Sequence, residues 1–204
     1  PTGANPDLLL NIARAAGASL GLLCLAFLIA GVLGVTLGLA AVRTDPPGVR
    51  SWMVVVSTLG LATPGFYIGT LLIAGVVAYM LRSQVTVSPI PVSGYGWDIH
   101  LLLPLFALTI RPTMQVAQVT ANLLADELNK QYVVAARGFG HTWQAIRREK
   151  AFRNVLAPLI ITLASALRML VAELILVEWL FNWPGLGLLL TQVLVPPKVA
   201  MAGS

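Results

Sequence analysis

Three ionisable side chains, Arg111, Arg168 and Glu173, stand inside long apolar runs, each about ten or more residues from the nearest polar boundary. A charge held there in a bilayer is costly and turns toward a partner or a cavity. Two chemistries follow. Glu173 neutralises one arginine as an ion pair, or the three line a path on which the charged ends of a polar solute find opposite charges. A second group is basic: Lys130, Arg137, Arg147, Arg148, Lys150 and Arg153 are six of the chain's thirteen Lys and Arg residues. They fall in one polar stretch between two apolar runs. Nothing in the chain reads as a catalytic or metal-ligating set. There is no GxxxxGK[ST] nucleotide loop, and the single cysteine, Cys24, lies within an apolar run. It can form neither an internal disulfide nor a cysteine metal site.

The elements that must position these residues are membrane spans. The chain has 204 residues, 57% hydrophobic and 10% charged, with mean hydropathy +0.84. Soluble domains carry about 25% charged residues. The expected fold is an all-α polytopic helical bundle forming one transmembrane domain over residues 1–204. A span takes about 20 apolar residues, which gives four: about 18–42, 52–81, 101–124 and 159–181. The net charge of +5 would point to nucleic acid in a soluble protein. Here the basic residues cluster at span ends, where they resist translocation, so no nucleic-acid partner is expected. The loop at 126–158 and the first connector, with Arg43 and Arg50, are placed in the cytoplasm. The connector 82–100, poor in charge, faces outward.

Two GxxxG patterns, Gly34 to Gly38 and Gly65 to Gly69, predict close helix contacts. Pro64 removes a backbone donor inside the second span and predicts a kink. In the basic loop Phe139, Trp143 and Ile146 follow i, i+4, i+7, one face of a helix. Thr142 is its N-cap, and Gly138 and Gly140 permit a chain reversal before it. The loop therefore reads as helix, glycine break, short amphipathic helix, and return to the membrane at Pro158. Such a helix can lie on a membrane surface or fill a groove on a partner; the residues alone leave both open.

Three ordered blocks across about 110 residues carry a resemblance. Val134-Ala135-Ala136, Arg137-Gly138-Phe139 and Gly140 match the Glu-Ala-Ala, three residues, Gly motif of permease loops, with Val134 at the Glu position. Ala136 to Gly140 and Ala151 to Pro158 keep the spacing of the Ala-Arg-Ala-Lys-Gly and Ala-Leu-Arg-Asn-Ala-Leu-Ile-Pro segments, with Phe139 at the Lys position. Pro91 to Gly96 with His100 to Pro104, and Glu178 to Gly187 with its Trp-Pro-Gly-Leu-Gly turn, match an outer loop and an outer turn. On these residues the chain resembles inner-membrane permeases of ABC importers, specifically the dipeptide/oligopeptide family.

The resemblance implies the type I ABC-importer permease fold. It implies a subunit of an ATP-driven importer of peptides or similar small polar solutes in a bacterial or archaeal cytoplasmic membrane. ATP and Mg²⁺ belong to separate cytoplasmic ATPase subunits, so this chain is not itself an enzyme and holds no cofactor. The further partners are a second permease, as a heterodimer, and an extracytoplasmic solute-binding protein. By the same carry-over, Ala135, Ala136, Arg137 and Gly140 form the docking turn for the ATPase. Trp143 and Ile146 insert into it, and Arg153 and Asn154 lead back to the membrane. Glu178, Trp183, Pro184, Gly185 and Gly187 form an outer gate, in a re-entrant turn over 182–195. Family members have a further span before this region and another after it, so the chain reads as the permease core of a longer protein. The alternative is a truncated, permease-like scaffold subunit without transport activity. A secondary transporter or channel leaves the basic loop unexplained.

Overall fold

The computed structural model describes residues 6–194 apart from Thr86 and Pro89. It is built from helices: α1 (Pro6–Ala40), α2 (Ser51–Ala62), α3 (Gly65–Ser83), α4 (Leu102–Leu128), α5 (Gln131–Gly138), α6 (Trp143–Ala145), α7 (Phe152–Leu180) and α8 (Leu186–Leu194). One short hairpin, β1 (Val42–Thr44) and β2 (Pro47–Val49), joins α1 to α2, with Val42 opposite Val49. Among the described residues, four stretches are long and apolar enough to cross a membrane: Asp7–Ala40, Gly65–Ser83, Ile99–Leu128 and Trp143–Leu180. The all-α membrane architecture read from composition is the one observed.

The boundaries differ in instructive ways. The first helix starts at Pro6, well before residue 18. Asp7, Asn11 and Arg14 end the apolar run, but they do not interrupt backbone hydrogen bonding. The second span, expected unbroken over 52–81 with a kink, is two helices. Thr63 is extended, as the residue before a proline prefers, and Pro64 is extended too and starts α3. Beyond the loop, Pro158 does not mark the start of a helix. It lies inside α7, and helical backbone runs from Trp143 to Leu180 through a wider π-type turn at Ile146–Ala151.

α4 is the central element, packed against α1, α2, α3 and α7. Its buried face of Ala107, Leu108, Val116, Ala117, Ala121 and Leu124 has small residues where α1 comes close. A Cβ on Gly38 of α1 would stand 2.6 Å from the Ala117 carbonyl oxygen. That is the backbone approach the GxxxG pattern permits.

The two ends of the bundle are distinct. At the loop end, Ala41, Val42 and Met53 share a core with Leu124, Leu128, Val133, Ala136, Ile146 and Ala151. The hairpin and the basic loop thus lie on the same side, as the alternating path requires. At the other end Trp183 and Phe181 are buried with Leu22, Leu103 and Val177. There Tyr95 and Trp97 of the outer connector meet Trp183 edge to face, with ring centroids 4.8 and 6.0 Å away.

Candidate functional site

The basic loop is folded against the helices it connects. α5 buries Val133 and Ala136 and turns its other face outward, with Val134 69% exposed. The reversal follows at Gly140, whose φ of +84° is left-handed backbone that glycine adopts without penalty. Arg137 closes this turn. Its Nη1 donates to the His141 carbonyl at 2.9 Å, and its guanidinium lies over the Trp143 ring, 4.9 Å from the centroid. Thr142 caps the next helix as expected, its Oγ1 accepting from the Ala145 amide at 3.3 Å.

The expected apolar stripe of Phe139, Trp143 and Ile146 does not form on one helix. Phe139 ends α5 in the turn and is 85% exposed, Trp143 is half-buried, and Ile146 is fully buried in this chain's own core. Ile146 is therefore not presented to a partner in this structure. The i, i+4, i+7 spacing misled because the glycine turn divides the residues between two helices. What the loop presents outward is Val134, Ala135, Arg137, Gly138, Phe139 and Gly140, while Ala136 faces inward. Val134 and Phe139, the two departures from the motif, are the large exposed apolar groups of this tip.

Behind the tip, Glu127 in the last turn of α4 gathers three donors. Tyr132 Oη reaches its Oε1 at 2.9 Å, Asn154 Nδ2 reaches Oε1 at 2.8 Å, and Lys130 Nζ lies 2.5 Å from Oε2. Burial, and then the neighbouring carboxylate, push the Tyr132 phenol up to about 12. Asn154 thus binds within the chain, and its neighbour Arg153 is exposed. Arg147 donates to the Leu39 carbonyl at the end of α1. Glu127 is absent from the sequence reading. Its only signal is a carboxylate in the C-terminal turn of a helix, where the helix dipole disfavours negative charge.

Midway along the bundle, Arg111 of α4 donates to Glu173 Oε1 of α7 at 2.5 Å, and its Nε donates to the Leu61 carbonyl at 3.2 Å. Leu61 lies at the end of α2, where the break at Pro64 leaves carbonyls without helical partners. Arg168 is elsewhere on α7, exposed, with its guanidinium 2.8 Å from Ser165 Oγ. Of the two possible partners for Glu173, the structure selects Arg111.

The residues expected as an outer gate form a closed turn. Glu178 is fully buried. Its Oε1 accepts from Ser19 Oγ at 2.5 Å, and its Oε2 accepts from the amides of Gly187 and Leu188 at 2.7 and 3.3 Å. Trp183 is buried and donates through Nε1 to the Ala18 carbonyl at 3.2 Å. Gly185 and Gly187 wrap this carboxylate, and Pro184 alone of the five is exposed. The site ties α7, α8 and α1 together, and the carboxylate meets the amides that open α8, an arrangement the helix dipole favours.

The profile of the binding-protein-dependent transport system inner membrane component family matches residues 30–195, which contain the loop, the ion pair and the Glu178 turn. The chain belongs to this family. Among its relatives, the Dipeptide transport system permease protein DppB of Lactococcus lactis subsp. cremoris is 26% identical over 183 residues, 90% of this chain and 58% of that protein. The protein of the same name from Bacillus subtilis is 28% identical over 164 residues, 79% of this chain and 50% of that protein. The chain thus spans between half and three fifths of the length of these two relatives. With four helices long and apolar enough to span a membrane among its described residues, this family member is a multi-pass membrane protein.

Proposed function

We propose that this chain is the membrane-spanning core of a permease subunit in an ATP-driven importer of peptides or similar small polar solutes. The observation that carries the reading is the loop tip at Val134–Gly140. It is an exposed, partly apolar surface on a short helix, backed by a core and closed by the Arg137–Trp143 contact. An amphipathic helix built this way suits a groove on a partner. In this reading the partner is a cytoplasmic ATPase, ATP and Mg²⁺ are bound there, and Phe139 takes the contact role first expected of Ile146. The basic residues of the loop and hairpin support a cytoplasmic position for this end, since such residues resist translocation.

The peptide class rests on the names of the relatives. A second permease, related but not identical, completes the pathway, and a solute-binding protein delivers from the other side. Arg168, exposed on a spanning helix, faces that second subunit or the pathway, since a lone charge is costly against lipid. The test is isolation from native membranes in mild detergent, followed by uptake of a labelled tripeptide by liposomes holding the isolated complex. An ATPase and a second permease are expected to co-purify, with uptake requiring ATP. A chain isolated with neither, in cells whose tripeptide uptake does not depend on it, would replace this reading with that of a scaffold subunit.

A further inference from the structure

We propose that Glu127 is the joint through which movement of the loop tip reaches α4 and α7, making it a positioning residue for coupling. The inference rests on the coupling role of the loop proposed above. Glu127 is 6% exposed and sits at the negative end of the α4 dipole. A carboxylate is disfavoured there by both burial and dipole. It is held because donors converge on it from separate parts of the chain: Lys130 in the α4–α5 connection, Tyr132 on α5 and Asn154 on α7.

No other polar contact among the described residues joins these three elements. Apart from its backbone turns and the Arg137 contacts with His141 and Trp143 at the tip, α5 is tied by apolar packing, through Val133 and Ala136 to the core of Leu124, Leu128, Ile146 and Ala151. Apolar faces permit sliding, whereas hydrogen bonds to one carboxylate fix direction. Glu127 is also near the start of α5, and the exposed tip is at the other end. A push on Phe139 and Gly140 therefore turns α5 about its fastened end. Through Oε1, which Tyr132 and Asn154 share, the same turn acts on α7. Arg147, bonded to the Leu39 carbonyl, gives α1 its own link. The sequence of events is tip, α5, Glu127, then α4 and α7 together.

The experiment uses the complete transporter in lipid, with the exposed Cys24 replaced by serine. Spin labels at Gly138 and Val54 report α5 against α2, and labels at Leu156 and Val54 report α7 against α2. All three positions are exposed. Distances are measured without nucleotide and with ATP plus vanadate. In the unmodified joint both distances are expected to shift. Asn154→Leu breaks the link to α7 alone, so the α5 shift is expected to remain and the α7 shift to be lost. Glu127→Leu is expected to lose the α7 shift as well, and Glu127→Gln, which keeps an acceptor oxygen, to restore it. A merely structural role would change the distances without nucleotide and leave the transmitted shift intact. If both distances shift normally in Asn154→Leu and Glu127→Leu, the joint is overturned while the coupling reading stands. If the α5 distance ignores nucleotide before any joint residue is changed, the coupling reading falls, and the joint falls with it.

Discussion

Arg111 and Glu173 meet at 2.5 Å between α4 and α7, and the same guanidinium holds the Leu61 carbonyl at the end of α2. One side chain thus joins three helices where the second span is broken. Arg111→Met leaves a buried carboxylate without a counter-charge and is expected to destabilise the bundle by about 3 kcal/mol. The double variant Arg111→Met, Glu173→Met removes both charges and is expected to recover most of that loss. Unfolding midpoints of the two single variants and the double form the thermodynamic cycle that measures the pairing. Additive losses would mean that the pair contributes nothing as a pair.

Gly65 opens α3 directly beside this pair. A Cβ there would press into Glu173 Oε2 and stand 3.0 Å from the Ala107 carbonyl oxygen. The carboxylate cannot swing away without leaving Arg111, and the carbonyl belongs to a helix backbone. Gly65→Ala is therefore expected to cost roughly 1–3 kcal/mol, the range of an overpacked core. Gly75→Ala, on the same helix with nothing near its Cβ position, should leave the midpoint unchanged or slightly raised. Equal midpoints for the two variants would remove steric crowding as the reason for a glycine at 65.

Much of this was legible in the sequence because the bilayer imposes simple rules. Apolar run length marked the long helices, though not the break at Pro64, and cost in lipid singled out Arg111 and Glu173, which pair. The glycine patterns correctly marked where helices touch. The sequence was silent where a residue's role depends on elements that meet only in three dimensions. Glu127 bonds Asn154, 27 positions away, and Glu178 bonds Ser19, 159 positions away. No periodicity encodes such partners. The stripe through Phe139, Trp143 and Ile146 failed for a local reason, since a positive φ at Gly140 changes helix axis between the first and second members. A period counted across a turn carries no face.

Glu178 satisfies Ser19 and two backbone amides in a buried site. Glu178→Ala leaves those donors without acceptors, and unsatisfied buried groups cost about 1–3 kcal/mol each. Glu178→Gln keeps an oxygen for one side of the site and is expected to lose less. The measurement is the thermal midpoint in detergent alongside protease cleavage near α8. An alanine variant as stable and as protease-resistant as the parent would mean that these bonds do not hold the turn together.

The Tyr132 phenol, pushed up to about 12 from the ordinary 10.0 by burial and by Glu127, gives a spectroscopic handle on the Glu127 site. A raised value means that the folded state holds this proton more tightly than the unfolded chain does. The contribution to stability is present in full below the ordinary value and is lost as pH rises through about 12. Tyrosinate absorbance should show a late step from Tyr132. That late step should vanish in Tyr132→Phe and move down in Glu127→Gln. A late step that persists in Tyr132→Phe would assign it to another tyrosine.

The loop tip separates binding from stability. Phe139 is 85% exposed and Ile146 is fully buried, though both belong to the same basic segment. Phe139→Ala is expected to leave the unfolding midpoint alone and weaken ATPase capture, with roughly 2 kcal/mol lost if the ring is an interface hot spot. Ile146→Ala is expected to do the reverse, costing about 2–5 kcal/mol of stability as a core truncation while the tip keeps its shape. Gly140→Asp strains the left-handed turn, and Trp143→Ala removes the ring that Arg137 covers. Both should uncouple ATP hydrolysis from uptake without preventing membrane insertion. The four variants are read by ATPase co-purification, thermal midpoint, and ATP consumed against tripeptide imported. Should Ile146→Ala lose the ATPase at unchanged stability while Phe139→Ala keeps it, the docking face would be the one expected from spacing alone, and the loop would have to open to present it.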